Sequence, residues 1–517
     1  MAQAIMLQGT SSNVGKSILG AALCRIFSRA GYRVAPFKSQ NMALNSGATP
    51  DGGEIGRAQL LQAYAARVEP RVEMNPVLLK PTAPACSQVV LLGRPLGNLG
   101  AREYHGHYNQ DLWPHVEAAY AALAREFEVI VIEGAGSPAE VNLKAGEIAN
   151  MRVAKMARAP VLLVADIDRG GALAAIVGTL ELLEPEEREM VAGLVINKFR
   201  GDLDLLQPAL DFLVKKTGKP VVGVIPFLAH GLPEEDSVVL EQASARSTGK
   251  DELEIDVIKL PCIANFTDFD ALEREEGVNL RYIEDQAALG QPDLIILPGS
   301  KNTIGDLLWL RQRGLAAALQ ELVVRGTPVV GICGGYQMLG REISDPGHVE
   351  TEQERIDGLS LLPLRTVFRS SKATNVVRGL VTGTGPCLGP LQGLEVEGYE
   401  IHMGESYLEG GQAAFQITRR GEQRVTIADG CVSPDGLVWG TYIHGIWDND
   451  PLRHQMLAFL RARRGLPVME SGLQFAADLE RRLETLARVV ARHLDLGRLQ
   501  AIMGLERSLA GDGFGVA

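Results

Sequence analysis

Gly331-Ile332-Cys333-Gly334-Gly335 joins an apolar run, Pro328-Val329-Val330, to Tyr336-Gln337-Met338-Leu339. The pattern reads as a buried strand, a sharp turn and a helix, with a thiol at the apex. A sulfur placed there faces the positive end of a helix dipole, which favours the nucleophilic thiolate. The glycines after it let backbone N–H groups approach a developing oxyanion. Such a thiol is equipped to attack an acyl carbon, and it needs a base beside it. Nine histidines are available, of which His444 stands at a strand end before a turn glycine, with His402 as its competitor.

A second signature lies near the N-terminus. Gln8-Gly9-Thr10-Ser11-Ser12-Asn13-Val14-Gly15-Lys16-Ser17 follows the first apolar run and opens a helical pattern. It has one more residue between its glycines than the usual phosphate loop, but the working parts remain. Backbone amides from Gly9 through Gly15 and the helix dipole can cradle phosphates. Lys16 can reach the terminal phosphates and Ser17 can ligate Mg2+. Glu133-Gly134-Ala135-Gly136 and Asp166-Ile167-Asp168 each close an apolar strand with a carboxylate where open sheets place ligands. Glu133 and Asp166 are therefore candidate metal ligands, with Glu54 a weaker one. Lys38 is a candidate phosphate contact, and Asn197, in Asn197-Lys198-Phe199, a candidate reader of adenine. For Asn41 and Asn45, just beyond Lys38, contact with a ligand and simple loop capping are both open.

These groups must be held by strands and helices in alternation. Short apolar runs at Ala4–Leu7, Arg33–Phe37, Val129–Ile132, Val161–Ala165, Ala192–Ile196 and Val221–Ile225 predict a mostly parallel sheet covered on both faces. A polar, patternless stretch at 237–252 predicts a linker. A second α/β series follows, with strands at Ile255–Leu260, Leu294–Leu297 and Val329–Ile332 and a β-rich stretch through Trp439–Ile443. The fold class expected is α/β in two domains, spanning 1–236 and 253–452, with a helical extension over 453–517. Leu479, Leu483, Leu486, Val490 and Leu494 recur at helical spacing there, which predicts a packing helix.

The bulk properties narrow the partners. A net charge of -12 argues against a nucleic-acid coat or an anionic membrane as the main partner. No apolar run is long enough to span a bilayer. Six scattered cysteines without C-x-x-C pairing suit a reduced cytoplasm, and the first residues lack the pattern of a signal peptide. An oligomer is left open.

The phosphate loop together with Glu133-Gly134-Ala135-Gly136 resembles the dethiobiotin-synthetase-like ATPases of the P-loop NTPase class. The Cys333 turn resembles the nucleophile turn of class I glutamine amidotransferases. The two in this order resemble the cobyric acid and cobyrinic acid diamide synthases. The stretches Lys38–Asn45, Asn265–Asp270, Pro298–Thr303 and Tyr399–Gly404 resemble the cobyric acid synthase family in particular. That resemblance covers nearly the whole chain. It implies amidation of an adenosylated corrinoid, adenosylcobyrinic acid a,c-diamide, at side chains b, d, e and g, with L-glutamine, ATP and Mg2+.

It also implies His444 as the catalytic base, oxyanion donors at Gly334 and Gly299-Ser300, and a glutamine-site role for Gln337. Many amidotransferases carry a glutamate two residues after the histidine. Here that position is Ile446, so a backbone carbonyl or a distant acid must orient the ring, and a Cys–His dyad is expected. The readings that compete are a cobyrinic acid a,c-diamide synthase and, from another class, a nucleotide-dependent switch ATPase with an inactive amidotransferase domain.

Overall fold

The computed structural model describes residues 2–83, 85–104, 109–233, 235, 249, 251–467, 469 and 472–509. The first unit is built on six parallel strands: β1 (Gln3–Gly9), β2 (Val34–Phe37), β3 (Val129–Glu133), β4 (Val161–Asp166), β5 (Val191–Phe199) and β6 (Val221–Pro226). Their order across the sheet is β6-β5-β4-β1-β3-β2. Successive side chains enter opposite faces, so Ala4 and Met6 join one core while Ile5 and Leu7 join the other. Both faces are covered, which is why these strands read as continuous apolar runs. The register sets Leu7 beside Glu133, Gly9 beside Val164, and Asp166 beside Asn197. The residues expected to do chemistry thus gather at the carboxyl ends of β1, β3, β4 and β5. After β2 the chain inserts a hairpin, Ser46–Ala48 with Glu54–Gly56, and a small sheet that includes Val77–Ala83 and Cys86–Leu91.

The second unit has its own six-stranded sheet: β7 (Leu253–Ile258), β8 (Val278–Ile283), β9 (Leu294–Leu297), β10 (Val329–Ile332), β11 (Cys431–Val432) and β12 (Val438–Thr441). Its order is β8-β7-β9-β10-β12-β11, parallel except for β11. β10 leads into Cys333 and its neighbour β12 leads toward His444, so strand pairing alone brings sulfur and imidazole together. The stretch between them forms a third sheet around the long strands Leu364–Val381 and Glu395–Leu408.

Six helices matter to the argument: α1 (Lys16–Arg29), α2 (Arg57–Ala66), α3 (Gly334–Leu339), α4 (Asp450–Arg464), α5 (Phe475–His493) and α6 (Leu496–Met503). The helical extension expected over 453–517 is divided between the two units. Leu452, Met456 and Leu460 of α4 enter the second core. Leu483, Leu486 and Val490 of α5 and Leu499 of α6 pack with Ile5, Leu7 and Phe27 of the first unit. Arg25, fully buried in α1, donates to both carboxylate oxygens of Glu480 on α5 at 2.5 and 2.7 Å. The stripe that predicts packing is thus completed by the N-terminal sheet. The linker expected at 237–252 lies largely outside the described residues.

Leu483 is 1% exposed in this shared core. Leu483→Ala is expected to cost about 2–5 kcal/mol, read as a lowered denaturation midpoint of the first unit. An unchanged midpoint for that unit would show that α5 is not part of its core.

Candidate active sites

The phosphate loop turns through left-handed backbone at Asn13 (φ 60°) and Gly15 (φ 96°) before α1 starts at Lys16. A Cβ on Gly15 would lie 2.3 Å from Asn197 Nδ2, so no side chain fits there. Lys16 Nζ donates to the carbonyls of Ser11 and Gly136, each at 3.1 Å. Its ammonium group is thereby held over the loop. Glu133 is the hub beneath. Its Oε1 accepts from Ser17 Oγ and from Lys38 Nζ, both at 2.8 Å, and its Oε2 accepts from Gln62 at 2.7 Å. Burial pushes this carboxyl up, but the Lys38 charge and these hydrogen bonds outweigh it and hold it below the usual range. Asn13, Gly15, Lys16, Ser17, Lys38, Glu133 and Asn197 all line one cavity of about 1320 Å³.

Other expected members of this site stand elsewhere. Thr10 spends its N–H on Val164, at 2.9 Å, and Val14 is buried in the core. With Gly9 they shape the loop rather than line the cavity. Asn197 braces the loop by donating to the Val14 carbonyl at 2.8 Å. Asp166 is paired with Lys198 at 2.9 Å and accepts the Asp168 N–H. Glu54 does not join the phosphate loop. It is fully buried between Lys80 (2.6 Å) and Lys372 (2.5 Å), with Ser46 Oγ at 2.8 Å, which leaves it no role as a ligand to a metal at Ser17. The reason is topological: the hairpin carrying Glu54 points into the contact between the units, where Lys372 of the second unit meets it.

The donors at the phosphate loop fit Mg2+. Ser17 Oγ and Glu133 Oε1 are hard oxygens already 2.8 Å apart. Among the described residues no cluster of three His, Cys, Asp or Glu side chains could hold a metal alone. Mg2+ commonly takes one or two protein oxygens and completes its shell with phosphate and water.

In the second unit, Cys333 has φ 51° and ψ −107°, strained backbone that turns the strand sharply into α3. Its N–H is pinned by the Thr441 carbonyl at 2.9 Å. The surrounding glycines are required by packing. A Cβ on Gly335 would lie 2.0 Å from the Leu297 carbonyl oxygen, and one on Gly334 would lie 2.8 Å from Ser300 N. The backbones of Gly334 and Ser300 therefore meet beside the thiol, as oxyanion donors must. Gly299 adjoins both reactive groups: a Cβ there would be 3.2 Å from His444 Cε1 and 3.8 Å from Cys333 Cβ. Gln337, expected at the glutamine site, is instead buried beneath the turn. It accepts from Thr303 Oγ1 at 3.2 Å and donates to the Tyr442 hydroxyl at 3.1 Å, so it locks α3 in place.

His444 is 2% exposed and stands beside Cys333, whose Sγ donates to the Ile401 carbonyl at 3.5 Å. Its Nδ1 lies 2.7 Å from Asp268 Oδ2, while Asp268 Oδ1 accepts the Gly445 N–H at 2.9 Å. The expected dyad is thus a triad whose acid is distant in sequence. Ile446, at the position where other amidotransferases carry the acid, is fully buried in the core. Asp268 lies in the Asn265–Asp270 stretch, whose only signal in sequence was its resemblance to the family. Burial alone would lower the imidazole pKa, but Asp268 and Cys333 outweigh it and raise the group to about 10. His402 does not compete. Its Nδ1 faces the Gly404 carbonyl at 2.7 Å, its Nε2 lies 3.7 Å from Glu400, and its ring stacks on Tyr442.

Comparison with known proteins agrees with both halves. Residues 5–235 match the CobQ/CobB/MinD/ParA nucleotide binding domain, and residues 254–452 match the CobB/CobQ-like glutamine amidotransferase domain. The cobyric acid synthase of Moorella thermoacetica is 75% identical over 514 residues, 99% of each chain. That of Pelotomaculum thermopropionicum is 58% identical, covering 98% of this chain and 97% of its own. With both domain models matched and near-complete coverage of these relatives, the chain belongs to the cobyric acid synthase family.

Proposed function

We propose that the chain amidates the b, d, e and g carboxylates of adenosylcobyrinic acid a,c-diamide, using one L-glutamine and one ATP for each amide. The observation that carries this reading is the Cys333–His444–Asp268 triad on the same chain as a complete phosphate loop.

A carboxylate is a poor electrophile, and phosphorylation supplies a leaving group. At the first site Lys16 neutralises charge on the transferred phosphoryl group, and the loop amides orient the phosphates. Ser17 and Glu133 would hold Mg2+, which when bound supplies further charge neutralisation. Lys38 keeps Glu133 ionised for that task. Asn197 lines the cavity and is the candidate for the adenine edge.

At the second site Cys333 attacks the glutamine amide carbon. The Gly334 and Ser300 amides receive the oxyanion, and protonated His444 gives its proton to the departing ammonia. Water then cleaves the thioester and frees glutamate. Asp268 holds the ring in place and keeps it charged. Ammonia formed inside the protein reaches the acyl phosphate before bulk water can protonate it.

Among the described residues no helix is long and apolar enough to cross a membrane. None of the six cysteines is joined in a disulfide, which suits the cytoplasmic setting read from the sequence.

A mass-spectrometric time course on the a,c-diamide is expected to show four successive amidations, and arrest after fewer would contradict the assignment. Cys333→Ala is expected to abolish glutamine use while ammonia at high concentration still supports synthesis. Asp268→Asn is expected to lower glutamine-dependent kcat on the order of 10³- to 10⁴-fold, with ammonia-dependent synthesis retained. A dyad that needs no acid would lose little.

A further inference from the structure

A carboxylate of the chain itself lies beside the phosphate-loop site. Glu235, in the segment after β6, turns its side chain toward the cavity that the loop lines. Its Oε1 accepts from Asn41 Nδ2 at 2.5 Å and from the Ala58 N–H at 3.3 Å, and its Oε2 lies 3.5 Å from Lys38 Nζ. Each carboxylate oxygen is thus met by its own donors. Lys38 and Asn41 are 6% and 2% exposed, so these donors form a built pocket and not a solvated face. A second hydrogen bond, to Gln59 Oε1 at 3.0 Å, orients the Asn41 amide. Ala58 offers its N–H from the first turn of α2, where no helical carbonyl can take it and the helix dipole favours an anion.

This cradle stands where an acceptor has to stand. Lys38 Nζ also donates to Glu133 Oε1 at 2.8 Å, the oxygen that accepts from Ser17 Oγ. One ammonium group therefore links the hub beneath the phosphate loop to the oxygen pair of Glu235. A carboxylate held there can attack the terminal phosphorus of ATP. Its O–P bond forms as the bond to the β-phosphate oxygen breaks, and ADP leaves with the electron pair. The attacking oxygen is already an anion, so no proton has to be removed. The space around the cradle suits a bulky acceptor. Met42, 55% exposed, follows Asn41 in the cavity wall, and Phe266 and Tyr282 of the second unit line the same cavity. Its volume of about 1320 Å³ exceeds the roughly 300–1,000 Å³ of an ordinary ligand pocket. Glu235 can vacate the cradle without unfolding its segment. Asn45 Nδ2 holds its backbone carbonyl at 3.1 Å, so rotation about the side-chain bonds is enough to carry the carboxylate out.

We propose that Lys38, Asn41 and the Ala58 N–H form the subsite for the acceptor carboxylate, and that Glu235 is an internal carboxylate that fills it until the substrate's carboxylate displaces it. One anion replaces another, so the charge around Lys38 stays balanced. The apparent affinity for the acceptor is reduced by the fraction of molecules whose cradle is filled by Glu235. The inference rests on the amidation reading above and adds where the acceptor is held.

The test opens the cradle and offers it acetate. Glu235→Ala is expected to lower the KM for the a,c-diamide about 10-fold or more, the weight of a charge-assisted hydrogen bond to an internal competitor. Acetate is expected to inhibit Glu235→Ala competitively with the diamide at concentrations that leave the parent unaffected. Asn41→Asp sets a second carboxylate against the acceptor and is expected to raise that KM. Glu235→Gln keeps the shape, removes the charge and is expected to lower the KM in the same direction, which decides the matter should Glu235→Ala fold poorly. A KM unchanged or raised in the folded Glu235 variants overturns the inference, as does equal acetate inhibition of variant and parent. Binding is also read without turnover. Saturation-transfer NMR is expected to show acetate bound to Glu235→Ala, but not to the parent or to the Glu235→Ala/Asn41→Ala double variant. Equal signals from all three proteins overturn the inference. A parent that forms no amide from either nitrogen source overturns the amidation reading, while the NMR comparison still decides whether the cradle takes a carboxylate.

Discussion

An imidazole buried to 2% exposure would ordinarily stay neutral, because removing its charge from water costs several kcal/mol. His444 carries its charge because Asp268, 2.7 Å from Nδ1, and Cys333 together outweigh the cost of burial. Without that ion pair the ring has no fixed tautomer, no proton to give to departing ammonia and no positive charge beside the sulfur. The pair also bears on stability. Folding raises the imidazole pKa from its ordinary 6.5 to about 10, so the stabilisation is complete below pH 6.5 and is lost as pH rises through about 10.

Placing an acid so far from its histidine constrains the whole second unit. Asp268 sits on a short turn whose geometry depends on a left-handed Asn265, and that turn is bonded to Asn45 and Ser46 of the other unit. Close by, Glu54 is enclosed by Lys80 and Lys372, one lysine from each unit. Burial pulls Lys372 down to about 8 even with Glu54 beside it. A buried carboxylate with two lysines is costly to separate, since any one group left unpaired is a buried charge. The contact between the units is thus specified by polar groups whose positions the triad also uses.

Much of this was legible in the sequence, wherever chemistry follows from neighbours along the chain. The Cys333 turn, the phosphate loop and the strands that present them are local patterns of apolar runs, glycines and caps. His444 was legible because its strand-and-turn segment resembles the family's catalytic histidine position; the pairing that sets it beside the nucleophile strand appears only in the fold. Asp268 was not, since no spacing rule links residues that meet only through a turn from another part of the fold. Glu54 misled for the converse reason: a carboxylate near the phosphate loop in sequence is carried away by a hairpin into the interface. Gln337 follows the nucleophile closely, yet helix geometry turns its side chain beneath the site. The partner of the C-terminal stripe was equally hidden, because an amphipathic pattern shows that a face is buried and not what buries it.

The central claim is that Asp268 keeps His444 protonated beside Cys333 at neutral pH. The most direct measurement is a ¹⁵N NMR titration of histidine-labelled protein, with His444 assigned by its loss in His444→Gln. The account predicts that both ring nitrogens of His444 stay protonated through neutrality and that the proton is lost near pH 10. A ring that is already neutral at pH 7, titrating close to the ordinary 6.5, would contradict it.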